Sequence, residues 1–98
     1  MVRITLPFHL QTLANCGQEV EVDIQEKVSV LSAIRALEAK FPMLSGTIID
    51  HYSKQRRPKV RFFACGEDVS LQALDTELPA AVASGAEPLM VVGAISGG

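Results

Sequence analysis

Apolar and polar residues alternate in two runs in the first quarter of this chain, and the period then changes. Val2, Ile4, Leu6 and Phe8 are apolar at every second position, the period of a half-buried strand. Pro7 lacks an N–H, so it belongs near the strand's end. His9 to Thr12 leads to Asn15-Cys16-Gly17, which reads as a turn. Glu19 to Ile24 alternates again, with Val20, Val22 and Ile24 inward and the carboxylates outward, so the two runs predict a hairpin. Val30, Ala33, Ile34, Leu37 and Phe41 then recur at spacings of three and four, one face of a helix. Ser29 is its expected N-cap, Lys40 favours the dipole at its end, and Pro42 stops it.

Beyond the helix the elements are shorter. Leu44 to Tyr52 reads as a short helix or an irregular segment, and Ser53 to Pro58 as a polar, basic loop. Val60 to Cys65 reads as a strand, Gly66-Glu67-Asp68 as a turn, and Val69 as the start of a short return strand. Leu71 to Leu78 is a turn or a single helical turn, Ala80 to Pro88 a loop, and Leu89 to Ala94 the last strand. This order predicts an α+β fold: a mixed sheet of four to five strands with one main helix across it, the first and last strands parallel at the centre. A single domain over residues 1–94 and a flexible tail over 95–98 are expected.

Composition narrows the function classes. The chain has 98 residues and is 48% hydrophobic, enough for one modest core. Cys16 and Cys65 are too few for a disulfide scaffold and match no zinc spacing. His9 and His51 are isolated, so no metal site is expected. With no leader-like segment at the start and no apolar run near the roughly 20 residues of a membrane helix, a cytoplasmic protein without membrane association is expected. No phosphate loop, dinucleotide fingerprint or nucleophile–base set is present in the sequence.

The net charge of −2 is unevenly spread. Lys54, Arg56, Arg57, Lys59 and Arg61 crowd one stretch, while Phe62 to Gly98 holds no Lys or Arg but has Glu67, Asp68, Asp75, Glu77 and Glu87. The basic cluster has few aromatic neighbours and reads as solvated loop charge, so no nucleic-acid partner is expected. The acidic C-terminal third suits a basic partner surface or is simply solvated.

The chain closes on Ile95-Ser96-Gly97-Gly98. Two glycines without Cβ make a thin segment, able to enter a channel too narrow for other residues. The terminal carboxylate is a poor electrophile until activated, and a frayed end is the plainer reading of these residues alone. If Leu89 and Val91 face inward, Met90 and Val92 face outward. Alternation aligned through Gly66 places Phe63 and Cys65 inward and Phe62 outward, so Phe62, Met90 and Val92 form a candidate partner-binding patch. Cys65 is then a buried free thiol rather than a reactive one.

Several of these stretches together resemble the MoaD/ThiS-type sulfur carriers, small proteins of ubiquitin-like β-grasp fold. Val30 to Pro42 is similar to the family's helix, Gly66-Glu67-Asp68-Val69 to its turn, Leu74-Asp75-Thr76-Glu77-Leu78 to its following element, and Leu89 to Gly98 to its last strand and diglycine tail. The stretch from Gly66 to Leu78 leans toward the carriers of cysteine biosynthesis. The chain departs from the pattern at Val92-Gly93-Ala94, Ala64-Cys65-Gly66, Arg61 and Ala86.

The resemblance implies a carrier rather than an enzyme. Gly98 is adenylated by an E1-like enzyme using ATP, and a sulfur donor then displaces AMP to leave a thiocarboxylate. A sulfur-accepting biosynthetic enzyme takes the sulfur, toward cysteine, molybdopterin, thiamin or a sulfur-containing natural product. No cofactor is bound by the chain itself, and all catalytic groups belong to its partners. The alternative is a ubiquitin-like modifier, or an interaction module without chemistry.

Overall fold

The computed structural model describes residues 1–93. The expected end of the last strand at Ala94, and the tail residues Ile95, Ser96, Gly97 and Gly98, lie outside the described residues. Five strands form one mixed sheet in the order β2-β1-β5-β3-β4, with β1 Val2–Thr5, β2 Glu19–Val22, β3 Val60–Ala64, β4 Glu67–Asp68 and β5 Leu89–Gly93. β1 and β5 are parallel neighbours and the other pairs are antiparallel. One long helix, α2 (Val30–Lys40), is flanked in the chain by the short helices α1 (Phe8–Ala14) and α3 (Ala80–Ala83). This is the expected ubiquitin-like β-grasp arrangement.

α2 begins where its residues demand. Ser29 and Ser32 cap each other: the Ser32 amide donates to Ser29 Oγ at 3.1 Å and the Ser29 amide to Ser32 Oγ at 2.9 Å. The helix buries Val30, Ala33, Ile34 and Leu37, the predicted face, in the same core as Ile4, Phe62, Leu89 and Val91 of the sheet. At its last turn Lys40 Nζ donates to the Glu21 carbonyl at 3.0 Å, which occupies part of the exposed edge of β2.

Three expectations are corrected. First, Phe8 is not the last inward residue of β1; it opens α1 and is 78% exposed. Pro7, with φ −69° and ψ 158°, ends the strand and caps the helix, and Leu10 and Ala14 supply the buried stripe. β1 and β2 therefore pair as expected but are joined by a helix rather than a hairpin loop. Second, the predicted loop 80–88 contains α3, held by Val82, which has no exposed surface.

Third, β3 has the opposite phase to the expected one. Residues directly opposite in an antiparallel ladder share a face, and Phe62 pairs with Val91 while Ala64 pairs with Leu89. Phe62 is therefore completely buried, and Cys65 is exposed. The turn of this hairpin is Cys65-Gly66, with φ of 52° and 80°. Positive φ at both positions is the geometry of a two-residue turn matched to strand twist, and Gly66 takes it without steric cost. A slip of one residue inverts every side chain of a strand, and that is the difference between Phe62 outward and Phe62 in the core.

Candidate docking face and tail root

α2 packs on the inner face of the sheet, and among the described residues no helix covers Met90, Val92 and Arg61 on the outer face, which are exposed. Ladder register defines its rows: Glu19, Thr5, Met90, Phe63 and Asp68 lie side by side across all five strands. Val92 lies beside Arg61 in the adjacent row. Met90 is 43% exposed and Val92 39%, while Phe63 is partly exposed. The structure thus brings Met90 and Val92 together on one face and removes Phe62 from it. Phe63 stands where Phe62 was expected. Arg61 agrees with this phase, since a cation in a strand turns to solvent, but as the second residue of β3 it does not by itself fix which of Phe62 and Phe63 faces inward.

Ion pairs border the apolar centre on both sides. Arg3 Nη1 lies 2.9 Å from Glu19 Oε1, and its other nitrogens donate to the carbonyls of Gly85 and Ala86. Arg61 Nη1 lies 3.5 Å from Asp68 Oδ2. Hydrogen bonds from the Ser70 side chain and amide hold the Asp68 carboxyl below the usual aspartate range, with Arg61 and Arg56 adding to the effect. The buried Ser70 hydroxyl also accepts from the Phe62 amide at 2.8 Å, so it extends the ladder beyond the two residues of β4.

Where β5 ends, the chain passes a tight corner. A methyl group on Gly93 would lie 2.6 Å from His9 Cε1 and 3.5 Å from both His9 Nε2 and Pro7 Cγ. The His9 side chain therefore lies close against Gly93, and a larger residue there requires that exposed side chain to move. Sequence reading passes over His9, because nothing in the order of residues signals that positions 9 and 93 meet.

The basic stretch is mostly consumed by the fold. Arg56 donates to the carbonyls of Ser70, Arg57, Pro58 and Val60. Arg57 donates to the Gly46 carbonyl at 2.7 Å and pairs with Asp50 at 3.2 Å. Asp50 accepts from the amides of Ser53 and Tyr52, which depress its pKa, with Arg57 contributing less. These arginines pin the 50–60 segment rather than form a basic surface.

Behind this segment lies an open groove of about 650 Å³. Its walls include Ile34 and Glu38 of α2, Ile49, and Leu74. Burial pushes the Glu38 carboxyl up, against the opposing pull of the Gly46 amide, His51, Lys54 and Arg35. Among the described residues no group of three His, Cys, Asp or Glu is placed to hold a metal, and no helix is long and apolar enough to cross a membrane.

Solved structures share this fold. SAMP1 from Haloferax volcanii matches with a TM-score of 0.75 and 23% identity over 98% of this chain and 97% of its own. A chain of the Amycolatopsis orientalis BexX/CysO complex matches with a TM-score of 0.77 and 19% identity over the whole of both chains. A second structure of H. volcanii small archaeal modifier protein 1 matches with a TM-score of 0.69 and 19% identity over 91% of each chain. No protein-family model and no curated protein sequence matches the chain.

Proposed function

We propose that this protein is a sulfur carrier whose reactive group is the Gly98 carboxylate. The observation that supports the reading best is the build of β5. Its Leu89 and Val91 anchor the core, its Met90 and Val92 face solvent, and in the sequence the strand immediately precedes the residues that end in Gly97 and Gly98. A partner that grips the outer face thereby grips the strand leading to the reactive end. The chain's own side chains form no catalytic set in this reading; they bind and present.

The chemistry follows from the weakness of the carboxylate as an electrophile. Attack of a Gly98 oxygen on the α-phosphorus of ATP, inside an E1-like partner, expels pyrophosphate and leaves an acyl-adenylate. Attack of sulfide on the acyl carbon expels AMP and leaves a thiocarboxylate at Gly98; a persulfide donor instead gives an acyl disulfide, whose S–S bond a thiol reductant then cleaves to the same thiocarboxylate. That soft nucleophile passes sulfur to a substrate held by a biosynthetic enzyme, as the resemblance to the BexX/CysO complex suggests. Cysteine, molybdopterin, thiamin and a sulfur-containing natural product are the candidate destinations, with the cytoplasm as the setting.

The likeness to a small archaeal modifier protein supports a second reading, in which Gly98 is joined to lysine amines of other proteins. Intact-mass measurement separates the two. The carrier gains one sulfur in place of one oxygen when incubated with its cognate E1-like enzyme, ATP and a sulfur donor, and deletion of Gly98 abolishes the gain. Isopeptide-linked products without a free thiocarboxylate establish the modifier instead, and an unchanged mass with a demonstrably active enzyme removes the carrier reading.

A further inference from the structure

We infer that the free edge of β2 takes up an extended, basic segment of a partner protein as an added strand. β2 ends the sheet, and β1 is its only strand neighbour among the described residues. The Leu6 amide donates to the Gln18 carbonyl at 2.8 Å, which fixes the parity of the β1–β2 ladder. The backbone groups of Val20 and Val22 therefore turn toward β1, and those of Glu19 and Glu21 turn away. Lys40 agrees with this parity, since its Nζ donates to the Glu21 carbonyl from the open side. Lys40 blunts the edge only in part. Among the described residues nothing bonds the Glu19 amide, the Glu19 carbonyl or the Glu21 amide. Free donors and acceptors at strand spacing are what an extended backbone pairs with.

Charge selects the occupant. From Gln18 to Glu26 the chain carries Glu19, Glu21, Asp23 and Glu26 and no Lys or Arg. All four acids are exposed, and among the described residues only Glu19 has an ion-pair partner, Arg3. A second copy of this chain is disfavoured, because antiparallel pairing of β2 with β2 sets these carboxylates opposite one another. A segment with Lys or Arg at alternate positions instead places its cations opposite Glu19 and Glu21. Its intervening side chains continue the inner face beside the buried Val20 and Val22, and are apolar. This edge takes no part in the proposed chemistry at Gly98, so the two readings stand or fall separately.

The probe is a capped peptide of about eight residues alternating Lys and Val, titrated at low salt into the isotopically labelled full chain. At saturation the Glu19 and Glu21 amides gain about tenfold or more protection from hydrogen exchange. Those of Val20 and Val22, already paired with β1, do not change. Glu21→Lys weakens binding about three- to tenfold, and Lys40→Ala, which frees the Glu21 carbonyl and removes a like charge, tightens it about two- to fivefold. Both side chains are exposed, so both variants keep the fold. Two N-methylated peptide series, one modified at Lys and one at Val, separate strand addition from attraction of charges. Only alternate amides face β2, so one series loses about tenfold or more in affinity and the other keeps it.

Equal behaviour of the two series, or Glu19 and Glu21 amides that stay unprotected, means attraction without strand addition and overturns the inference. Absence of saturable binding overturns it as well. Protection of Glu19 and Glu21 that grows with protein concentration alone assigns the edge to a second copy and overturns the basic partner.

Discussion

The two faces of the sheet are built from adjacent residues of the same strands yet do different work. On the inner face Val2, Ile4, Val20, Val22, Phe62, Ala64, Leu89 and Val91 are all buried under α2 and its flanking segments. On the outer face apolar side chains are confined to the middle, at Met90, Val92 and Phe63, and charged residues close the sides. An inward residue is held by neighbours on every side, so its identity is set by packing. An outward apolar residue in the centre of a sheet gains little from the fold, and a cluster of them fits the proposed docking face.

The neighbouring phenylalanines give the sharpest test of this contrast. Phe62→Ala opens a cavity in the core and lowers unfolding free energy by about 3–5 kcal/mol, measured by urea denaturation. Phe63→Ala lowers it by less than about 1 kcal/mol. Equal losses at the two positions would break the distinction between the faces.

Met90→Glu comes next. It places a carboxylate in the middle of the apolar stripe, and binding to the proposed E1-like partner weakens about 10- to 100-fold by calorimetry, with the melting temperature held within a few degrees. Glu38→Gln examines the helix side at a smaller scale: burial disfavours the charged carboxyl, so the amide raises stability at pH 7 modestly, and less as the pH falls toward 4. Ser29→Ala removes the reciprocal cap of α2 at a cost of about 1 kcal/mol, with no change in partner binding.

The smallest effect is that of pH on the outer-face border. Asp68 and Asp50 have depressed carboxyl pKa values, so their contribution is complete above the ordinary aspartate value of 3.8 and is lost as pH falls through the lower folded value. Asp68→Asn therefore lowers stability slightly near neutrality, where the carboxylate's contribution is present, and flattens the acid limb below pH 4, where the wild-type protein loses it. A variant as stable as the wild-type protein near neutrality in urea denaturation would show that the Asp68 carboxylate contributes nothing to the fold.

The sequence by itself determined what depends on near neighbours in the chain. The period-two runs at 2–6 and 19–24 and the helical stripe from Val30 to Phe41 were legible because each element's side-chain period repeats within a few residues. The Ser29 cap and the Pro42 stop were legible for the same reason. The outward placement of Met90 and Val92 followed from the alternation of a single strand. α1 was not, because Pro7 between apolar residues continues a strand pattern as readily as it starts a helix, and Leu10 and Ala14 are too few to show a period.

Only the tertiary structure decided what depends on pairing. Whether Phe62 or Phe63 faces the core is settled by the register of β3 against β5, a contact between segments nearly thirty residues apart whose one-residue ambiguity the alternation of β3 alone does not resolve. The engagement of Arg56 and Arg57 by carbonyls of Ser70, Val60 and Gly46 is likewise invisible in composition. So is the meeting of His9 with Gly93, which joins the start of the chain to its end. Local periodicity selects which elements form, whereas register and close approach are properties of the assembled sheet.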